Sequence, residues 1–172
     1  AVGGGTPLTS LTISGSGAIT LRSVTTTGAQ SYGGAVTIAG IPTTLTTTNS
    51  NVTFSSTVDG GQALTIAQGT GVVSFAAAVG GGTALTSLSI SGTGAITLRN
   101  VTTSTTQSYG GAITLGANAV LSGTDPTFSS TVAGATFDLT LNFSGPTAID
   151  GLTFTGINNL ASGNGSTTSL TG

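Results

Sequence analysis

An all-β chain wound as a parallel β-solenoid is the fold this sequence predicts. Three observations predict it. Short runs in which apolar and small polar residues alternate recur along the 172 residues. A long segment repeats almost unchanged. No stretch of ten residues carries the three-and-four apolar spacing of an amphipathic helix.

The alternating pairs are Leu11/Ile13, Ile19/Leu21, Val36/Ile38, Val52/Phe54, Leu64/Ile66 and Val73/Phe75, in short runs bounded by Gly, Asn and Ser. A period of two places both members of a pair on one side of a strand. Gly, Ser and Thr make up about half the chain. Thr is β-branched and suits strands, whereas Gly and Ser suit the turns between them. The Thr runs 25–27 and 46–48 read as loops. The Thr/Asn-rich stretch around Thr43 to Asn51 reads as a loop that absorbs length changes.

The long repeat is AVGGGTPLTSLTISGSGAITLRSVTTTGAQSYGG at 1–34. It returns at 78–111 with seven differences in 34 positions and no gap, so that each position recurs 77 further on. Later in the chain, VTFSSTVDGG at Val52 returns as PTFSSTVAGA at Pro126, a step of 74. A three-residue deletion therefore separates the copies. The organisation that follows is one continuous rod: a first long repeat over 1–77, a second over 78–150, and the start of a further degenerate coil over 151–172.

A sandwich or barrel would use strands of differing character, paired over long range. Near-identical segments are more simply equivalent positions on one solenoid, which favours stacked coils. Four coils per long repeat give about 19 residues per coil, and three give about 26. The shorter coil is preferred, so the chain should hold about eight. Each buried Val, Leu or Phe stabilises by roughly 1.5–3 kcal/mol only when neighbours above and below close the core.

Composition excludes much chemistry. The chain has two basic residues (Arg22, Arg99), four acidic ones (Asp59, Asp125, Asp138, Asp150), a net charge of -2, and no His, Cys, Lys, Glu, Met or Trp. There is no imidazole base, thiol nucleophile or ordinary zinc ligand set. Two Arg cannot neutralise a nucleic-acid backbone. No apolar run approaches the roughly 20 residues of a membrane span. No catalytic residue, cofactor or metal is expected. The chain starts at Ala1 without a visible signal peptide, which reads as a processed product or a piece of a longer chain.

The runs SVTTTGAQSYGGAVTI, NVTFSSTVDGG and AVGGGTALTSLSI, and the tail FDLTLNFSGPTAIDGLTFTGINNL, resemble the degenerate repeats of large bacterial filamentous-haemagglutinin-type exoproteins. The resemblance implies a right-handed parallel β-helix. It also implies an extracellular or cell-surface shaft serving adhesion, aggregation or biofilm. The amino-terminal secretion domain of that family is missing, which suggests a shaft segment or a subunit built from the same repeat. The partners this implies are further coils of the same chain, copies joined end to end, or surface glycans.

The candidate residues follow the repeat. Tyr32-Gly33-Gly34 and Tyr109-Gly110-Gly111 form a repeated Ser-Tyr-Gly-Gly, read as a core corner rather than a sugar platform. Arg22 and Arg99 follow Leu21 and Leu98, so alternation points them to solvent, where a charge discourages sideways aggregation. Asp59-Gly60 and Asp125-Pro126 are turn dipeptides, and Asp59 aligns with Ala133, so it belongs to no repeated site. Clustered acids would be needed to cleave a glycan, and the calcium pattern GGxGxDxUx is absent. Four N-x-[ST] sequons, at Asn51, Asn100, Asn142 and Asn164, match an acceptor pattern that a Ser/Thr-rich chain meets by chance. The irregular Thr runs do not make the flat rank that an ice-binding face needs.

Overall fold

The computed structural model describes residues 1–147, 149 and 152–162, and the described residues form a three-sided stack of parallel strands with no helix among them. The first face holds eight strands: Leu11–Ile13, Gln30–Tyr32, Val52–Phe54, Val73–Phe75, Ile96–Leu98, Ile113–Leu115, Val132–Ala133 and Phe154–Thr155. They bound seven turns of the solenoid, one fewer than the expected eight. The partners Leu11, Gln30, Val52, Val73, Ile96, Ile113, Val132 and Phe154 follow one another at intervals that set the coil at about 20 positions.

The second face begins with Ile19–Leu21, Val36–Ile38 and Val58–Asp59 and resumes with Val101–Thr102, Ala119–Gly123, Leu139–Phe143 and Leu160–Ser162. Val79 joins the two groups by bridging Val58 and Val101. The third face holds Val24–Thr25, Thr43–Thr46, Leu64–Ala67, Leu88–Ile90, Gln107–Tyr109 and Pro126–Phe128. One of these strands, Thr43–Thr46, lies in a stretch read from sequence as a loop, and the last residue of another, Thr25, belongs to a Thr run read the same way. Val24–Thr25 and Thr43–Thr46 pair in parallel, with Val24 opposite Leu45. Thr43 and Leu45 point inward and are buried. A β-branched Thr suits a pleated strand as well as a turn, so composition alone did not separate the two.

All six alternating pairs lie in strands, and one side of each strand fills the core. Columns of like side chains run along the axis. Tyr32, Phe54 and Phe75 stack on the first face, with ring centroids 5.1 and 5.0 Å apart. Tyr109 and Phe128 stack at 5.5 Å on the third. Offset stacking at this spacing is favourable, and it matches the strand separation of a sheet.

The long repeat is not in phase with the coil. Leu11–Ile13 lies on the first face, whereas its copy Leu88–Ile90 lies on the third. Counting strands and the Val79 bridge, eleven face-to-face steps separate them. One long repeat therefore makes three and two-thirds coils, with an average of seven positions per face. The sequence reading of the copies as equivalent positions is corrected here: each repeat is turned one face from the last.

Position along the stack decides burial. Ile13 is half-buried in the first coil, whereas its copy Ile90 is fully buried between Ile66 and Tyr109. Truncating a buried Ile to Ala costs about 2–5 kcal/mol. Ile90→Ala should fall in that range by denaturant titration, and Ile13→Ala should cost less than half as much. Equal losses would contradict the stacking order.

Candidate functional site

The repeated Ser-Tyr-Gly-Gly marks a corner. On the first face Gln30 and Tyr32 are neighbours on the inward side of one strand, and both are buried. The Tyr32 hydroxyl donates to Gln30 Oε1 at 2.8 Å. Gln30 Nε2 donates to the Thr46 carbonyl at 2.9 Å, to Thr26 Oγ1 at 3.2 Å and to the Val24 carbonyl at 3.4 Å. The second copy repeats the arrangement on the third face. The Tyr109 hydroxyl donates to Gln107 Oε1 at 2.7 Å, and Gln107 Nε2 donates to Ser122 O, Thr103 Oγ1 and Val101 O at 2.8, 3.3 and 3.4 Å. A buried polar group is tolerated when it is hydrogen-bonded, and these satisfied networks pin one face of the coil to the preceding one from inside.

Sequence reasoning named the tyrosines and missed Gln30 and Gln107. The signal was present in the repeated Gln-Ser-Tyr, whose period of two puts Gln beside Tyr. Both rings are fully buried, so neither presents a face to a sugar. Burial pushes both phenols above the ordinary Tyr range.

The glycines after each Tyr are set by close approach. A Cβ at Gly33 would lie 2.8 Å from the Ile13 carbonyl oxygen, and one at Gly110 2.7 Å from the Gly92 carbonyl oxygen. A Cβ at Gly34 would run into the Gly17 carbonyl, and one at Gly111 into that of Gly94. The corners thus stack backbone on backbone.

Arg22 is exposed on the second face, and its guanidinium lies near Gly40 one coil up. Arg99 is half-buried after the first-face strand Ile96–Leu98, beside Gly116. The one-face turn of the repeat sets the two on different sides of the rod.

The described acids sit apart: Asp59, read from sequence as a turn residue, ends the second-face strand Val58–Asp59, and Asp125 and Asp138 directly precede the strands Pro126–Phe128 and Leu139–Phe143. Asp59 Oδ1 accepts from the Gly82 and Thr83 amides at 2.7 and 3.1 Å, holding the loop of the coil above. Asp138 Oδ1 accepts from Asn158 Nδ2 at 2.6 Å. Asp125 carries its carboxylate beside Gly145. Asp150 and the Asn164 sequon lie outside the described residues. Among the described residues no group of three His, Cys, Asp or Glu side chains could hold a metal, and no helix is long and apolar enough to cross a membrane.

Asn side chains do similar work at corners. Oδ1 of Asn49, Asn51, Asn100 and Asn118 accepts the backbone amide of Thr70, Val72, Val120 and Asp138 in the next coil, at 2.9–3.1 Å. The fold and these contacts define the class: a parallel β-solenoid whose polar side chains secure its corners. Comparison with family models, curated proteins and solved structures gives no match.

Two outcomes follow. Gly34→Ala should lower stability by about 1–3 kcal/mol through overpacking, whereas Gly17→Ala, which meets nothing within 4 Å, should not. Thermal melts of the pair check this. The unfolded phenols release their protons near pH 10, while the native ones hold them. Stability is therefore unchanged below that pH and is lost progressively as pH rises beyond it. Absorbance at 295 nm at pH 11 should show tyrosinate only on unfolding. Tyrosinate in the folded chain would refute the buried corners.

Proposed function

We propose that this chain is structural: a section of an extracellular filament of a bacterial cell surface, bearing on adhesion, aggregation or biofilm. One observation supports the reading above others. The inward columns pass from coil to coil along the described chain, as in Leu11, Gln30, Val52, Val73, Ile96, Ile113, Val132 and Phe154. Asp59, Asp138, Gln30, Gln107 and the corner Asn residues are meanwhile engaged in turns, corners and core.

The mechanism is mechanical. Seven coils at a strand spacing of about 4.8 Å make a rod of roughly 34 Å. A filament therefore needs more coils, from the same polypeptide or from other copies. A short self-assembling fibre or sheath subunit is the second reading. A denatured mass near 16.3 kDa for the native polypeptide would select it. A carbohydrate-binding or carbohydrate-cleaving β-helix gains no support from the buried tyrosines and dispersed acids.

Immunogold labelling of intact source cells, with antibody raised against the folded chain, tests the structural reading. Gold along thin fibres outside the cell is the expected result. Label confined to the cell interior would overturn it.

A further inference from the structure

Among the described residues the buried glutamines are Gln30, Gln68 and Gln107. Gln30 and Gln107 are satisfied by their Tyr corners. Gln68 is not: neither its Oε1 nor its Nε2 has a partner. Exchanging the amide oxygen and nitrogen changes nothing, since both are unpaired. The residue is 0% exposed, so bulk water does not reach the group.

Sequence and fold explain why this amide is left over. Gln30 and Gln107 open strands, and the alternation that buries them brings Tyr32 and Tyr109 to the same side. Gln68 instead follows the third-face strand Leu64–Ala67, and the residue two further on, Thr70, is exposed. In the coil below, Thr46 pairs with Ala67, so Thr47 stands under Gln68. The Thr47 hydroxyl closes its own corner by donating to the Ser50 carbonyl at 2.7 Å. The Gln68 corner closes without its side chain, because the Gly71 amide donates to the Gln68 carbonyl at 3.1 Å.

The side chain reaches up instead. A Cβ at Gly92, in the coil above, would lie 2.5 Å from Gln68 Cδ and 2.6 Å from its Nε2. Only glycine at 92 leaves the amide its place. The corner backbone above is held to the one below, with the Thr93 amide donating to the Gly69 carbonyl at 2.8 Å. The amide is therefore enclosed between two corners that are tied together.

The chemistry of the group defines what meets it. An amide with two N–H donors and an acceptor oxygen, all unmet, is strongly disfavoured in an enclosed interior. Its partner must be small, and able to donate and accept. The stacked corners 47–51, 68–72 and 91–95 carry no charged residue, so nothing there balances an ion.

We propose that the Gln68 amide holds an internal water molecule in the corner beneath Gly92, a hydration site built into the rod. The water takes, in this coil, the part that the Tyr hydroxyl plays toward Gln30 and Gln107 at 2.8 and 2.7 Å. Buried waters serve in this way where a polar group has no protein partner.

Two measurements on the 172-residue chain test it. In a water-selective rotating-frame Overhauser spectrum of 15N-labelled protein, the Gln68 side-chain NH2 should show a cross-peak to water of dipolar sign. The Gln30 and Gln107 amides, which meet protein acceptors, are the buried references. Oxygen-17 relaxation dispersion then counts long-lived waters free of interference from exchanging hydroxyls. Gln68→Met keeps the length of the side chain without its polar atoms, and should hold one water fewer than the parent. Equal counts in the parent and the folded variant would overturn the site. So would a Gln68 amide as silent toward water as those of Gln30 and Gln107. If the variant does not fold, the parent's Gln68 cross-peak decides alone.

Discussion

Each inward side chain of this rod is covered by the inward side chains of the coils above and below, and by little else. A coil of about 20 residues is too small to enclose an apolar interior alone. Its core forms only where the same positions recur, in register, one coil later. That requirement explains why like sits on like: Tyr32 on Phe54 on Phe75, Leu64 on Leu88, Ile66 on Ile90, Leu98 on Leu115. It also explains the corners. Where the chain turns, successive coils meet backbone to backbone, and residues such as Gly34 and Gly111 leave no room for a side chain.

Polar groups obey the same constraint. Gln30 and Gln107 lie inside the core because each receives a Tyr hydroxyl and donates to carbonyls of neighbouring faces. Asp59 and the corner Asn residues reach up one coil to bind amides that the turn leaves unpaired. Charge is scarce in this chain, and Asp59 and Asp138 are engaged across coils. A buried phenol with a satisfied hydroxyl is a structural element, not a reagent.

Much of the fold was legible because strict alternation exposes a half-buried strand. Leu11/Ile13, Ile19/Leu21 and the other four pairs lie in strands for that reason. Thr43–Thr46 and Thr25 were not legible, since a Thr-rich stretch serves a strand and a loop equally well. The phase of the repeat was hidden too. Sequence identity reveals the period that carries Ala1 to Ala78 but not the number of faces it spans. Three faces of seven positions make a coil, and that period is not a whole number of coils. Tyr32 and Tyr109 were read as corner residues; they lie buried at the ends of the strands Gln30–Tyr32 and Gln107–Tyr109. Their partners Gln30 and Gln107 escaped because Gln is ordinarily a surface residue.

Three such repeats would bring a side chain back to its starting face, so identical residues such as Arg22 and Arg99 are displayed around the rod instead of along one side. The most direct test of this architecture uses the absence of cysteine in the chain. Ser74 and Thr97 lie a full coil apart in sequence and are paired neighbours on the first face. Nitroxide labels at Ser74→Cys and Thr97→Cys should show strong dipolar coupling, set by a strand spacing of about 4.8 Å. Uncoupled labels in the folded protein would contradict both the parallel stack and the one-face turn of the repeat.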